Sequence, residues 1–330
     1  MSVSNNLLEE AFEGRNITES SKKLYLANLK RLNGGEIPKN LKFLCNIPDI
    51  QEKINKYKPN TQRSYIISIV SLLKMLKEKS PRKYKKLYDD YYNILETLNN
   101  SLVDNTAKTE KEEEEWIGQD AVRAKLNERM TILETIKDLK KINENQYNDL
   151  LDLLVLGLFV LQKPRRNKDY QEMYVIKKFK EEYGTDKNFL DLFGNNFIFN
   201  NYKTKGTYST QTQPVDETLR NIIDIYIKYH PLKARLKEAN NTTTPFLVKY
   251  DGEALLSNNA LTRRLYKIFE RKIGSSMLRK LYLSDKYGDK MKQVEEIMEE
   301  MKSDTEAMGT STNTAMTNYI KKDNNKSLDT

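Results

Sequence analysis

The stretch from Pro59 to Leu76 narrows the choice of fold more than any other part of the chain. Pro59-Asn60-Thr61 opens a segment whose apolar residues are Tyr65, Ile66, Ile69, Val70, Leu72, Leu73 and Leu76. They recur at the three- and four-residue spacing of one buried helix face. Proline fits the first turn of a helix and breaks the later ones, so the helix starts here. An earlier helix is expected with Ser20 or Ser21 as its cap, Leu24, Leu26, Leu29 and Leu32 as apolar positions, and Gly34-Gly35 as its stop. Pro81 separates a third, carrying Leu87, Tyr91, Ile94 and Leu98. Residues 1–98 are therefore expected to form a helical domain.

From Asn99 to Glu115 the periodicity fails. Residues 106–115 hold two lysines and five glutamates, just ahead of Trp116, the only tryptophan. This segment, 99–115, reads as an acidic linker to a second domain, 116–330. That domain opens with expected helices near Gln119–Lys141 and Gln146–Leu161. The second contains an uncharged apolar run of nine residues, Leu153 to Leu161. It is too short to span a bilayer and reads as a buried helix. The one clear β signal is Phe197-Ile198-Phe199 and Thr207-Tyr208-Ser209-Thr210 around Tyr202–Gly206, an expected hairpin with a lysine-rich turn. After Pro214 the pattern is helical to the end, near Asp216–Tyr229, Asn259–Lys272, Ser276–Tyr287, Met291–Met301 and Thr305–Lys321. The expected fold class is mainly α with a small β-hairpin or sheet.

Composition removes whole classes of chemistry. The chain has one cysteine, Cys45, and one histidine, His230. That excludes a disulfide scaffold, a Cys/His zinc site and a Ser-His-Asp or Cys-His catalytic unit with a second histidine. Both residues read as structural. The glycine fingerprints of nucleotide sites are missing, so no cofactor and no metal are expected. The N-terminus has no basic-then-apolar order, which points to a soluble, intracellular protein without a membrane partner.

The net charge is +9, and its placement is uneven. Residues 51–88 hold eleven Lys and Arg, among them Arg63, Arg82, Lys83, Lys85 and Lys86, against two glutamates. Such a block is either a solvated helix face or a surface for a phosphate backbone. The interleaved tyrosines of Lys83-Tyr84-Lys85-Lys86-Leu87-Tyr88 tilt it toward nucleic acid.

The charged residues of the second domain gain meaning from their order. An arginine pair follows the buried helix in Pro164-Arg165-Arg166-Asn167-Lys168-Asp169. A lysine lies in the expected hairpin, Lys203-Thr204-Lys205. An arginine comes early in a helix, Ser276-Met277-Leu278-Arg279-Lys280. Met308-Gly309-Thr310 then lies nine residues before Tyr319.

This order resembles the tyrosine recombinase, or phage-integrase-like, family, whose motif runs Arg, Lys, His-x-x-Arg, His or Trp, Tyr. The resemblance spans nearly the whole chain, although about six positions carry it. It implies a helical N-terminal core-binding domain and an α+β catalytic domain. It further implies cutting and rejoining of double-stranded DNA through a 3′-phosphotyrosine intermediate, by a homo-oligomer, a tetramer on DNA. Tyr319 takes the place of the nucleophile, and Arg166 and Arg279 those of the clamping arginines. Asp169, three positions after Arg166, would hold it in place, with Arg165 the off-register rival. Lys203 is the candidate acid, with Lys205 as its rival and otherwise a DNA contact. Ser276, Lys280 and Thr310 stand where the family carries histidine or tryptophan, so the implied active site has no histidine.

The chemistry explains why these residue types belong together. Attack on a phosphodiester builds negative charge on the non-bridging oxygens, which two guanidiniums clamp bidentately. A tyrosine hydroxyl stores the broken bond as an ester, so no metal is needed. The leaving 5′ oxygen needs a proton, and an ammonium among guanidiniums gives one up more readily. Ser276 and Thr310 can still donate to a phosphate oxygen as neutral groups. Three functions stay open: a site-specific recombinase or integrase, a DNA-binding relative with a decayed active site, and a type IB topoisomerase.

Overall fold

The apolar face that starts after Pro59 is a helix, and its inward residues are buried. The computed structural model describes residues 12, 17–102, 107–238, 241–257 and 259–321. The chain divides into two compact units, residues 1–109 and 110–330. The cut falls inside the expected linker, yet helix occupies both ends of that segment.

In the first unit, α1 (Glu19–Leu32) is capped by Thr18, whose hydroxyl accepts the Ser21 N–H, rather than by Ser20 or Ser21. It stops at Gly34, where φ is +72°, a region that glycine enters without steric cost. A 3-10 turn (Lys42–Cys45) and α2 (Ile47–Asn55) follow, both missed by the periodicity argument because they are short. Cys45, read as structural, is exposed. Then come α3 (Pro59–Lys79) and α4 (Pro81–Asn100), each with proline in its first turn. Their apolar faces meet around Ile66, Ile69, Leu72 and Leu73, with Leu29 of α1 and Ile50 of α2. The buried Tyr91 hydroxyl donates to the Leu44 carbonyl at 2.8 Å, tying α4 to the 3-10 turn.

The second unit begins with α5 (Glu110–Glu115), which is where the acidic run belongs. Glu112 pairs with Lys280, the Glu114 carbonyl accepts from Arg271, and the Glu115 carboxylate accepts the Lys272 N–H. The glutamates therefore dock on this unit. Next are α6 (Gln119–Ile136) and α7 (Glu144–Val160). The apolar run makes α7 the central helix, with Leu150, Leu151, Leu153, Leu154, Val155, Leu156 and Leu158 all fully buried. Asn143 and Gln146 cap it reciprocally. At Gly157 an added Cβ would lie 3.1 Å from Leu219, so glycine lets the next long helix approach closely.

After α8 (Asn167–Gln171) the sheet is built from β1 (Met173–Ile176), β2 (Asn188–Asp191), β3 (Asn196–Phe199), β4 (Gln211–Pro214) and β5 (Thr244–Pro245). Its order is β4-β3-β2-β1-β5, with β1 and β2 parallel and the other pairs antiparallel. The chain is thus mainly helical with a small mixed sheet. The expected hairpin is β3–β4, but its second strand starts at Gln211. Residues expected as strand instead lie in the short helix α9 (Lys205–Tyr208) and the turn after it. Strands β1, β2 and β5 were not expected; each is four residues or fewer, too short for alternation to declare itself.

Helices α10 (Glu217–Tyr229) and α11 (Ala260–Phe269) pack on α7. The last long element, α12 (Ser275–Ala307), runs unbroken for 33 residues where two helices and the start of a third were expected. A short helical turn, α13 (Thr312–Thr314), continues as a π-type turn over Ala315–Tyr319. No helix among the described residues is long and apolar enough to cross a membrane.

Candidate anion-binding cleft

A cleft of about 640 Å³ opens in the second unit between the segment before α8, the β3–β4 connection and the start of α12. Three arginines line it: Arg165, Arg166 and Arg279. The first two precede α8, and Arg279 comes from the second turn of α12. Asp169, Tyr202, Thr204, Tyr208 and Lys163 add to the polar wall, with Gln211, Thr212 and Gln213 of β4.

Arg165 is the anchored member. Its Nε donates to Asp169 at 3.0 Å and its Nη1 to Gln211 at 2.8 Å. Its guanidinium lies 3.7 Å from the Phe199 ring centroid and 4.9 Å from that of Tyr202, a stacking that suits a planar cation. The resemblance placed Asp169 on Arg166. The carboxylate, in the first turn of α8, instead holds Arg165, whose side chain folds back onto it from the extended segment before the helix. Arg166 caps α8 through its backbone. Among the described residues no side chain or carbonyl accepts a hydrogen bond from the Arg166 or Arg279 side chain. Two free guanidiniums and one fixed guanidinium therefore converge on one space. Burial pushes the Asp169 carboxyl above the usual carboxylate range, against the pull of Arg165 and Arg166.

The floor is held by an asparagine that sequence reasoning missed. Asn188 of β2 is 1% exposed. Its Nδ2 donates to the Asp169 and Asn201 carbonyls at 3.0 and 2.9 Å, and its Oδ1 accepts the N–H groups of Asn200 and Asn201. One side chain thus fixes the arginine segment to the loop that carries Tyr202 and Thr204. A lone asparagine outside any motif gave no signal of this.

The remaining candidates are not among the residues that line the cleft. Lys203 is exposed and outside the cleft lining. Lys205 donates to the Thr185 carbonyl. Lys280 is engaged with Glu112, and Ser276 is exposed in the first turn of α12, which Gly274 caps. Met308-Gly309-Thr310 closes α12: Gly309 has φ +69°, its N–H reaches the Glu306 carbonyl, and the Thr310 N–H reaches the Thr305 carbonyl. This pair of hydrogen bonds is the Schellman pattern of a helix end.

Tyr319 is 60% exposed and is not among the cleft residues. Thr305 follows Arg279 by 26 residues on the same helix, about 39 Å at 1.5 Å per residue. Thr312 sits against Thr305, hydroxyl to hydroxyl at 3.2 Å. The helical turns from there to Tyr319 add only about 10 Å, so Tyr319 stays at the far end of α12 from the arginines.

In the first unit, Arg82, Lys83, Lys85 and Lys86 are exposed at the start of α4. That end has no acidic residue and no side-chain cap. The four cations add to the positive end of the helix dipole. Arg63 is committed differently, its Nε donating to Asn99 at 2.5 Å.

The chain matches no protein-family model, no curated protein and no solved structure.

Proposed function

We propose that this chain binds double-stranded DNA and cuts and rejoins it as a tyrosine recombinase does, with a core-binding first unit and a catalytic second unit. The observation that carries the reading is the convergence of the adjacent Arg165 and Arg166 with Arg279, more than a hundred residues later in sequence, on one cleft. Free guanidiniums suit the charge that builds on a phosphate under attack. Arg165, clamped by Asp169 and Gln211, keeps the wall in place. The electropositive start of α4 supplies sequence-independent phosphate contacts. Tyr319 would attack the phosphorus and carry the 3′ phosphate, and Lys203 would protonate the leaving 5′ oxygen. For that, the segment after α12 must come to an arginine cleft, either through a break in α12 or from a second copy. The oligomer on DNA would be a tetramer.

A second reading, DNA binding without cleavage, is favoured by the distance of Tyr319 from the arginines and by Lys280 being held by Glu112. A nicked duplex that loses its short 5′ product separates the two. Cleavage traps a covalent complex that survives denaturation and is lost in Tyr319→Phe with duplex affinity unchanged. Tight duplex binding without a trapped complex establishes the second reading. A phosphopeptide mapped to Tyr208, in the cleft, or to Tyr287 overturns the assignment of Tyr319. Relaxation of supercoils without a preferred site identifies a type IB topoisomerase activity.

A further inference from the structure

Between Leu281 and Thr305 no residue of α12 is buried. The segment still carries apolar side chains in the open: Leu283, Tyr287, Met291, Val294, Ile297 and Met298 are 38–55% exposed. Most helical stability in proteins comes from packing an amphipathic face rather than from propensity, and Gly288 in this stretch weakens the helix further. An amphipathic helix of this kind is stabilised by covering its apolar stripe.

The spacing says what shape covers it. Tyr287, Met291, Val294, Met298 and Met301 follow one another at steps of four, three, four and three. That is the alternation of core positions in a two-helix coiled coil, with Met291 and Met298 at one core position and Tyr287, Val294 and Met301 at the other. Leu283 and Ile297 fall beside this seam and widen it. The flanking charges favour a second copy as partner, in parallel. In a parallel pair of identical helices, a flanking residue faces the one five positions on in its partner. Lys290 then meets Glu295 of the other copy, twice by symmetry. Ile297 meets Lys302, so no like charges oppose. In the antiparallel register that sets Met291 against Met301 and Val294 against Met298, the two copies of Glu295 face each other.

We propose that two copies of this chain associate through residues 283–301 of α12 as a short parallel coiled coil, independently of any DNA activity.

The test is sedimentation of the full chain over about 1–100 µM, a range that brackets the Kd expected of so short a seam. A concentration-dependent dimer is expected. Val294→Asp should abolish it without changing the helical circular dichroism of the second unit's core, because Val294 is 48% exposed and lies outside the hydrophobic core. Lys290→Glu and Glu295→Lys should each raise the dimer Kd by about tenfold. The double variant should restore it. With Cys45→Ser removing the native thiol, Met291→Cys should form a disulfide with its own copy under mild oxidation. A monomer at every concentration overturns the proposal. So does a dimer that ignores Val294→Asp, or one that cross-links Val294→Cys/Met298→Cys chains but never Met291→Cys.

Discussion

Asp169 holds the guanidinium of Arg165, four residues earlier, at 3.0 Å, and both side chains are largely buried. The pair divides the cleft arginines into one that builds the site and two that are free to act. Removing one partner of a buried ion pair leaves an uncompensated charge. Arg165→Ala and Asp169→Ala should therefore each cost about 3 kcal/mol in urea unfolding. Arg166→Ala and Arg279→Ala should change stability by less than about 0.5 kcal/mol and instead weaken duplex binding, read by fluorescence anisotropy. Equal losses of stability in all four variants would mean that the cleft is only a structural ion network.

At the start of α4, stability and binding should move in opposite directions. Lys83 lies in the first turn, where a cation opposes the helix dipole. Lys83→Glu should stabilise the first unit by about 0.5 kcal/mol. It should also weaken binding to all duplex sequences alike and flatten the salt dependence. Charge reversal at Lys85 and Lys86 should do the same to binding. A variant with unchanged affinity and salt slope would return this block to the role of a solvated helix face.

His230 gives the second unit an acid-sensitive contact. It is 1% exposed. Its Nδ1 accepts the Leu232 N–H at 3.1 Å, so the proton sits on Nε2, which donates to the Pro245 carbonyl at 3.1 Å. Burial lowers its pKa to about 4. The unfolded chain binds the proton more readily than the folded one, so this contribution is fully present above about pH 6.5 and is lost as the pH falls through about 4. The loss should reach about 3 kcal/mol. In His230→Gln, the slope of unfolding free energy between those pH values should shrink. Any DNA cleavage should keep its pH profile, because His230 is not a cleft residue.

Lys203 and Lys205 flank Thr204, which does line the cleft. If Lys203 is the acid, Lys203→Ala should slow cleavage of an ordinary phosphodiester and regain most of the rate with a 5′-thio leaving group, which needs no proton. Rescue in Lys205→Ala alone would move the role by two residues. Rescue in Lys280→Ala alone would assign it to the residue after Arg279.

Repetition made the helical frame readable from sequence. Eight buried positions in α3 and eleven in α7 state their helix many times over, and proline and glycine marked where helices start and stop. Strands of four residues or fewer state theirs once or twice, so β1, β2 and β5 stayed hidden. The order of residues along the chain singled out Arg166 and Arg279, with Arg165 as the alternative to Arg166, but not that all three line one cleft. Which arginine Asp169 holds was not legible, since neighbours in sequence differ only in the direction a turn gives them. The role of Asn188 was equally hidden, because its partners become neighbours only when β2 pairs with β3.

The sequence by itself determined that the chain is mostly helical, that its charge is concentrated in residues 51–88, and that imidazole and thiol chemistry have one residue each to draw on. Only the tertiary structure decided that Arg165, Arg166 and Arg279 share one space. It also decided that the acidic run docks on the second unit, and that Tyr319 stands at the other end of α12 from the arginines. Local periodicity is a property of each segment alone, whereas proximity between distant residues depends on how all the segments pack.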